Sequence, residues 1–365
     1  MDAALPDARP RSTPPALAIV IVNFDSWADT DRLVGSLAGE LESLDGRCEV
    51  VVVDNASADP PPAGLESRPG IRVVLRPDNG GFAAGVNTGW RSTPARWLLL
   101  LNPDVVAGPG LIGRVLGRIE ALEAGPGVGP VPGVVGFGLR NEDGSRQHSV
   151  GAFPTLLGCV RESFRPRSRR KYWPLSRTGP GPVPWVTGAC MLVRSAVLEQ
   201  LGGMDEEFFL YHEEVALCRS ARDAGWGISL DVGVEVAHLR PLQSREVSPR
   251  LRVVTRHSKL LYFLKHRPRW EFEVLARVVS AEAWIRGLSA GIGGRAAEAG
   301  AWAAVGRIAR EMGPGRGPRG VRVREIADRA VSGGGVAPGR GPYSGRREVR
   351  AEGRSIPLDV SGRSR

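Results

Sequence analysis

The run Arg96-Trp97-Leu98-Leu99-Leu100-Leu101-Asn102-Pro103-Asp104 constrains this chain more than any other stretch. Four consecutive leucines are too few to cross a membrane and too unbroken for a strand with one wet face. They predict a central strand of a mostly parallel sheet, buried on both faces. Pro103 has no amide hydrogen to give to a ladder, so the strand stops there. A carboxylate, Asp104, follows at once. In open α/β sheets ligands bind at the carboxyl ends of strands, which makes Asp104 a candidate site residue. Asn-Pro-Asp is also ordinary turn chemistry, so the carboxylate needs companions.

The companions come from element order. Leu17–Asn23 and Cys48–Val53 are β-branched, apolar and strand-like. Between them Leu33, Val34, Leu37, Leu41 and Leu44 share one face of a helix over Asp29–Leu44. Ile71–Leu75 predicts a third strand and Phe82–Ser92 a short helix before the leucine strand. Right-handed crossovers put the ends of parallel strands on one side, so Asp54, Asn79 and Asp104 are expected to line one crevice. Further on, Leu111–Ala124 reads as a helix, Val134–Leu139 as a strand and Asn141–Gly144 as a hairpin-like turn. Trp185–Arg194 reads as one apolar strand. Ser195 is then the cap of a helix Ala196–Leu201 that Gly202-Gly203 ends. Val215–Ala224 reads as a helix, Trp226–Asp231 as a strand and Val234–His238 as a last short strand.

Composition narrows the class. A 365-residue chain has room for one large domain or two smaller ones. The net charge of +10 comes from 49 basic residues, of which only Lys171, Lys259 and Lys265 are lysine. Such an arginine bias points to a GC-rich genome more than to nucleic acid, and from Glu311 onward Arg exceeds acid twelve to six. The basic stretch Arg161–Lys171 reads as a solvated surface loop. The four cysteines have no CxxC spacing, which argues for buried thiols rather than disulfides or zinc. Met1–Pro15 has no apolar signal-peptide core, and no apolar run reaches transmembrane length. These features lead to the expectation of a cytoplasmic protein. Leu251–Leu264, flanked by Arg252, Arg256, Lys259 and Lys265, reads as a basic amphipathic helix suited to peripheral contact with an anionic inner leaflet. After Gly313 the periodicity vanishes, which reads as disorder. The expected organisation is a leader at 1–16, an α/β domain at 17–240, a helical extension at 241–312 and a Gly/Arg-rich tail at 313–365.

Five stretches, in order, resemble the family 2 glycosyltransferases and within them the bacterial rhamnosyltransferase-like branch. They are Ile21–Phe24, Val52–Asp59, Asn79–Asn87, Leu100–Asp104 and Trp185–Trp226. The resemblance covers about Leu17 to His266. It implies the GT-A fold, a Rossmann-like, mostly parallel sheet flanked by helices. It also implies an inverting, metal-dependent transfer from a nucleotide-diphosphate sugar, with a lean to dTDP-rhamnose. The acceptor would be a hydroxyl of a saccharide or lipid-linked molecule in cell-surface polysaccharide synthesis.

The resemblance assigns roles residue by residue. Asp54 would accept from a pyrimidine N3–H, since a carboxylate only accepts. Asn23, Asn55, Asn79, Gly80 and Asn102 would complete the nucleotide-sugar pocket. Asp104 would hold Mg²⁺ or Mn²⁺ on the diphosphate, and His238 would assist it. Glu214 would be the general base, with Glu213 beside it. Trp185, Gly188 and Asp205 would shape the sugar and acceptor pockets. The sequence departs from the family pattern in three places. Asn102 replaces the first aspartate of the metal motif, Glu214 stands where the pattern usually has Asp, and Ala216 replaces a later Asp. A catalytically inactive scaffold binding polysaccharide or membrane is the competing reading. A nucleotidyl-transfer enzyme and a dehydrogenase are disfavoured by the absence of a Walker lysine loop and of G-x-G-x-x-G after the first strand.

Overall fold

A computed structural model describes residues 14–125, 129–163, 170–174, 179–241 and 246–332. Most of the leader, the middle of the Arg161–Lys171 loop and residues 333–365 of the expected tail lie outside the described residues.

The first half alternates as expected. β1 (Leu17–Asn23), α1 (Trp27–Ser43), β2 (Cys48–Asp54), β3 (Ile71–Leu75), α2 (Phe82–Arg91) and β4 (Trp97–Leu101) follow in order. β5 (Val105–Val106), α3 (Leu111–Glu123), β6 (Pro132–Arg140), β7 (Val150–Gly151) and α4 (Leu156–Ser163) come next. Then come β8 (Gly181–Pro182), β9 (Trp185–Val186), β10 (Cys190–Arg194), α5 (Ser195–Leu201), α6 (Glu213–Asp223) and β11 (Gly227–His238). Four helices close the described chain: α7 (Pro249–His266), α8 (Arg269–Ile292), α9 (Ala296–Glu311) and α10 (Val321–Ser332).

The main sheet runs β3-β2-β1-β4-β10-β6-β11-β5, with β8 beside β11 and a separate β7-β9 pair. β3, β2, β1 and β4 are parallel, and β10 enters antiparallel between β4 and β6. The leucine strand is fully buried. Leu98 and Leu100 pack with α2, α5 and α6, while Leu99 and Leu101 pack with α1 and α3. Both faces being covered is why no polar alternation was present to read.

α2 lies close on the sheet. A Cβ on Gly85 would come within 2.5 Å of Val22, and one on Gly89 within 2.6 Å of Val20.

Several expectations are corrected. The apolar run Trp185–Arg194 is two strands, because Thr187–Ala189 leaves the sheet at Gly188. The two strands expected at 226–238 are one, β11, which shifts register between Asp231 and Glu235. Ser195 does not cap α5, since its hydroxyl donates to the Ala95 carbonyl and Arg194 holds the N-cap position. The helix at 249–266 does not lie on the surface: Val253, Val254, Leu260, Leu261, Tyr262 and Phe263 are buried in the main core. Disorder does not begin at Gly313. α10 packs on α7 and α9, His257 bonds the Pro318 carbonyl at 2.9 Å, and Arg319 pairs with Glu207 at 2.9 Å. Local glycine density hid a segment whose order comes from these distant partners.

Candidate active site

The carboxyl ends of β1, β2 and β4 and the start of α2 open onto a pocket of about 120 Å³. Asn55, Asn79, Gly81, Phe82, Asn102 and Phe24 line it, and Ser248, Arg250, Leu251 and Val254 at the start of α7 cover it. Asn55 donates to the Gly81 carbonyl at 2.9 Å, while its Oδ1 is buried with no hydrogen-bond partner among the described residues. Gly81 has φ +92, and a Cβ there would sit 2.0 Å from the Phe209 carbonyl oxygen. Asn79 accepts from the Gly81 amide at 3.0 Å, which fixes this turn. Gly80 packs against Ala84 and Arg76, both 2.7 Å from where its Cβ would be.

Asp54 and Asn23 stand one layer behind this wall. Asn23 donates to Asp54 at 2.7 Å and accepts from Thr30 at 2.8 Å, and the Ser57 amide donates to Asp54 at 3.0 Å. Asn55, the next residue, faces the pocket instead.

β4 delivers Asp104 as its stop predicts. Val105 bonds back to the Asn102 carbonyl, and β5 pairs antiparallel with the end of β11, placing His238 opposite Val105. Asp104, fully buried, therefore meets His238 with Nε2 3.4 Å from Oδ1, and Arg240 lies 3.9 Å from Oδ2. Arg240 also pairs with Asp29 of α1. His238 Nδ1 is 2.8 Å from the Gln147 Oε1, and the Gln147 amide nitrogen donates to Asn141 and to the His238 carbonyl. Gln147 is thus held with its oxygen toward the ring, so Nδ1 donates to it and Nε2 faces Asp104.

An imidazole nitrogen and a carboxylate oxygen facing each other are a donor pair that a divalent cation can bridge. Their 3.4 Å separation is close to the ~3 Å between neighbouring ligands of an octahedral ion with ~2.1 Å bonds. The oxygen-plus-imidazole donor set with an oriented histidine fits Mg²⁺ or Mn²⁺. Among the described residues no third His, Cys, Asp or Glu completes a cluster, so the remaining ligands of such an ion have to come from phosphate and water.

Asn102 lines both this pocket and a second, larger cavity of about 620 Å³. Glu214 and His238 are on its wall. The turn into α6 holds Tyr211 and His212 both at φ +68, a left-handed pair that non-glycine residues adopt at about 1–3 kcal/mol each. It aims the α6 N-terminus, with Glu213 and Glu214 in its first turn, toward the cavity. Glu214 Oε1 accepts from Lys171 at 2.6 Å, and Oε2 has no hydrogen-bond partner among the described residues. Lys171 lies 4.8 Å from the Trp185 ring centre. Burial, then the Glu214 charge, pushes Glu213 up to about 8. Burial, then Lys171 and Lys259, holds His212 well below its ordinary range.

The expected sugar and acceptor residues separate. Gly188 lies between Phe82 and Glu214, 3.4 and 3.7 Å from its would-be Cβ. Trp185 does not line the cavity. It is fully buried, donates to the Ala152 carbonyl and forms the floor beneath Lys171. Asp205 is removed from the site: Lys265 of α7 draws it into an ion pair at 2.6 Å, beside a separate depression with Asn87 and Glu206. Lys171, Gln147 and Arg240 were missed. Lys171 stood in a stretch read as solvated surface, and each meets its partner across 43 to 211 residues, which no local pattern signals.

The model of Glycosyl transferase family 2 matches residues 18–202. An N-acetylglucosaminyl-diphospho-decaprenol L-rhamnosyltransferase of Mycobacterium tuberculosis is 28% identical over 270 residues, covering 69% of this chain and 84% of the relative. The validoxylamine A glucosyltransferase of Streptomyces hygroscopicus subsp. jinggangensis is 30% identical over 274 residues, covering 68% of this chain and 62% of the relative. A solved mannosyltransferase of Pyrobaculum calidifontis, in complex with GDP-Man and Mn²⁺, superposes with a TM-score of 0.47 at 16% identity, over 80% of this chain and 74% of that one. With its family motifs gathered at the ends of a mixed, mostly parallel sheet, the chain belongs to glycosyl transferase family 2.

Proposed function

We propose that this glycosyltransferase acts in glycan biosynthesis, moving a sugar from a nucleotide diphosphate to a hydroxyl of a lipid-linked saccharide with inversion at the anomeric carbon. The observation that carries the reading is the shared wall of the two cavities. Asn102 belongs to both, Asp104 and His238 stand beside it, and Glu214 faces the larger one. The smaller pocket takes the nucleoside, with the Asn55 Oδ1 available to a base N–H. The relative that acts on a diphospho-decaprenol supports a lipid-linked acceptor and a rhamnosyl donor.

Asp104 and His238 would hold a divalent ion, which when bound there would supply neutralisation of charge on the departing diphosphate. Glu214 accepts the proton of the acceptor hydroxyl at Oε2. As that proton leaves, the hydroxyl oxygen forms the new bond to the anomeric carbon. The bond to the donor's phosphate oxygen breaks on the opposite face, and its electron pair leaves with the nucleotide. Lys171 holds the other carboxylate oxygen and orients Glu214 for this step. Gly188, without a side chain, leaves room for the sugar between Phe82 and Glu214.

The test is nucleotide release from UDP-, dTDP- and GDP-sugars with Mn²⁺ or Mg²⁺. The expected result is metal-dependent release with one donor class. No release and no transfer with any donor would favour the inactive scaffold. No described helix is long and apolar enough to cross a membrane, and peripheral attachment at the inner face of a membrane remains part of the proposal.

A further inference from the structure

The larger cavity extends well past Glu214, and its far half is built by the C-terminal helices. Arg252, Arg256 and Lys259 of α7, Arg286 of α8, and Arg295 and Trp302 near and on α9 line it. Of the described lining residues eight are Arg or Lys and three are Glu. The guanidiniums of Arg252, Arg256 and Arg286 stand 5.0, 5.8 and 5.5 Å from the buried Trp302 ring centre. Cation–π contact with the ring leaves guanidinium N–H groups as donors.

Two carboxylates serve four of these arginines. Glu282 pairs with Arg256 at 2.7 Å and Arg286 at 3.0 Å, and Glu298 pairs with Arg295 at 2.9 Å and Arg252 at 3.5 Å. The group therefore carries a surplus of positive charge, to which Lys259 adds. Packing like charges around one ring lowers stability unless an anion completes the group. The donor's diphosphate belongs beside Asp104 and His238, so this second cationic centre is left for another phosphate ligand.

The face of α8 next to that centre is apolar and open. Arg286 and Ser289 line the cavity, and Glu282 stands one turn before Arg286, paired with it. About a quarter-turn around the helix, at ~100° per residue, Trp270, Ile285, Leu288 and Ile292 form a stripe, each more than half exposed. Trp284, beside it, is 71% exposed. A soluble protein seldom leaves such a stripe uncovered. Cationic centre and apolar track together match one amphiphile, a diphosphate esterified to a long isoprenoid chain.

We propose that the Arg252–Arg256–Arg286–Trp302 group binds the diphosphate of a lipid-linked acceptor, with its hydrocarbon chain leaving along the exposed face of α8. This rests on the lipid-linked acceptor reading above and says where in the molecule that acceptor is held. The saccharide on the diphosphate then extends back through the cavity to Glu214.

The experiment titrates the full chain with three probes: UDP or dTDP, inorganic pyrophosphate and farnesyl diphosphate in detergent below its micellar concentration. Wild type is compared with R256Q, with R286Q and with a Trp284→Ser, Ile285→Ser variant. Arg286 is 60% exposed, so R286Q folds whatever R256Q does, and thermal melting checks each. Expected are nucleotide binding unchanged in all variants and farnesyl diphosphate binding at least about tenfold weaker in R256Q and R286Q, the loss of one charge-assisted contact. Farnesyl diphosphate also binds more tightly than pyrophosphate to wild type, and the α8 variant removes that difference. Four results overturn the proposal: farnesyl diphosphate binding that ignores the arginines, equal binding of pyrophosphate and farnesyl diphosphate, arginine variants that lose nucleotide instead, and self-association through α8 abolished by the serine changes. If wild type binds farnesyl diphosphate and no nucleotide, the donor reading fails and this one stands. If it binds nucleotide and no farnesyl diphosphate, this one fails and the donor reading stands.

Discussion

Glu214 carries the proposed chemistry with one oxygen on Lys171 and the other without a hydrogen-bond partner among the described residues. Glu214→Gln keeps the shape and removes the base, so transfer falls by about 10²–10⁴-fold while nucleotide binding persists. Paired kinetics and nucleotide titration check this. Glu213 gives a stability signature instead. Its native proton is held up to about 8, against an ordinary 4.5. Between those values the native state binds more protons than the unfolded state, so its contribution to stability falls as pH rises through the window. Glu213→Gln removes that slope, and its melting temperature exceeds wild type at pH 9 by more than at pH 5. For the cation pair, Gln147→Leu leaves Asp104 and His238 in place but frees the ring. Metal affinity, read by Mn²⁺ titration of the nucleotide-free protein, drops by roughly 10–100-fold. In the sequence the strand stop at Pro103 marked Asp104 as a candidate, and the family resemblance marked His238 and the two glutamates. Gln147 and Lys171 were not legible there, because nothing in their own neighbourhoods marks what they touch.

At the scale of elements, the turn into α2 is set by a backbone contact. Phe82 donates to the Phe209 carbonyl at 3.1 Å, and Gly81 sits beneath that same oxygen at φ +92. Gly81→Ala has to move the 204–212 segment that aims α6, so both stability and activity fall. Chemical denaturation is expected to register a loss above about 1 kcal/mol. The motif Asn79–Asn87 could be recognised from its letters, but the reason for its second glycine is a carbonyl 128 residues away. α7 is the clearest misreading. Its apolar residues and basic residues share a helix, as a surface-bound segment would. Tertiary packing turned the apolar set into core and the basic set into a cavity wall.

Across the whole molecule, the C-terminal helices close the site rather than trail from it. Arg250 of α7, which covers the smaller pocket, is held by Asp328 of α10 at 2.5 Å, and Arg324 of α10 stands over Phe24 at 5.1 Å. A chain ending at Glu311 is expected to melt at a lower temperature than one ending at Ser332 and to bind nucleotide more weakly; calorimetry and titration of the two check it. The succession of strands and helices in the first half, the two-sided burial of β4 and the carboxylate after it were determined by the sequence alone, because each follows from local periodicity and from a proline that cannot continue a ladder. The antiparallel insertion of β10, the meeting of Asp104 with His238 and the gathering of arginines around Trp302 were decided only by tertiary structure. Each depends on where segments far apart in the chain are brought together, and charge or apolarity along a sequence does not say which neighbour it will face.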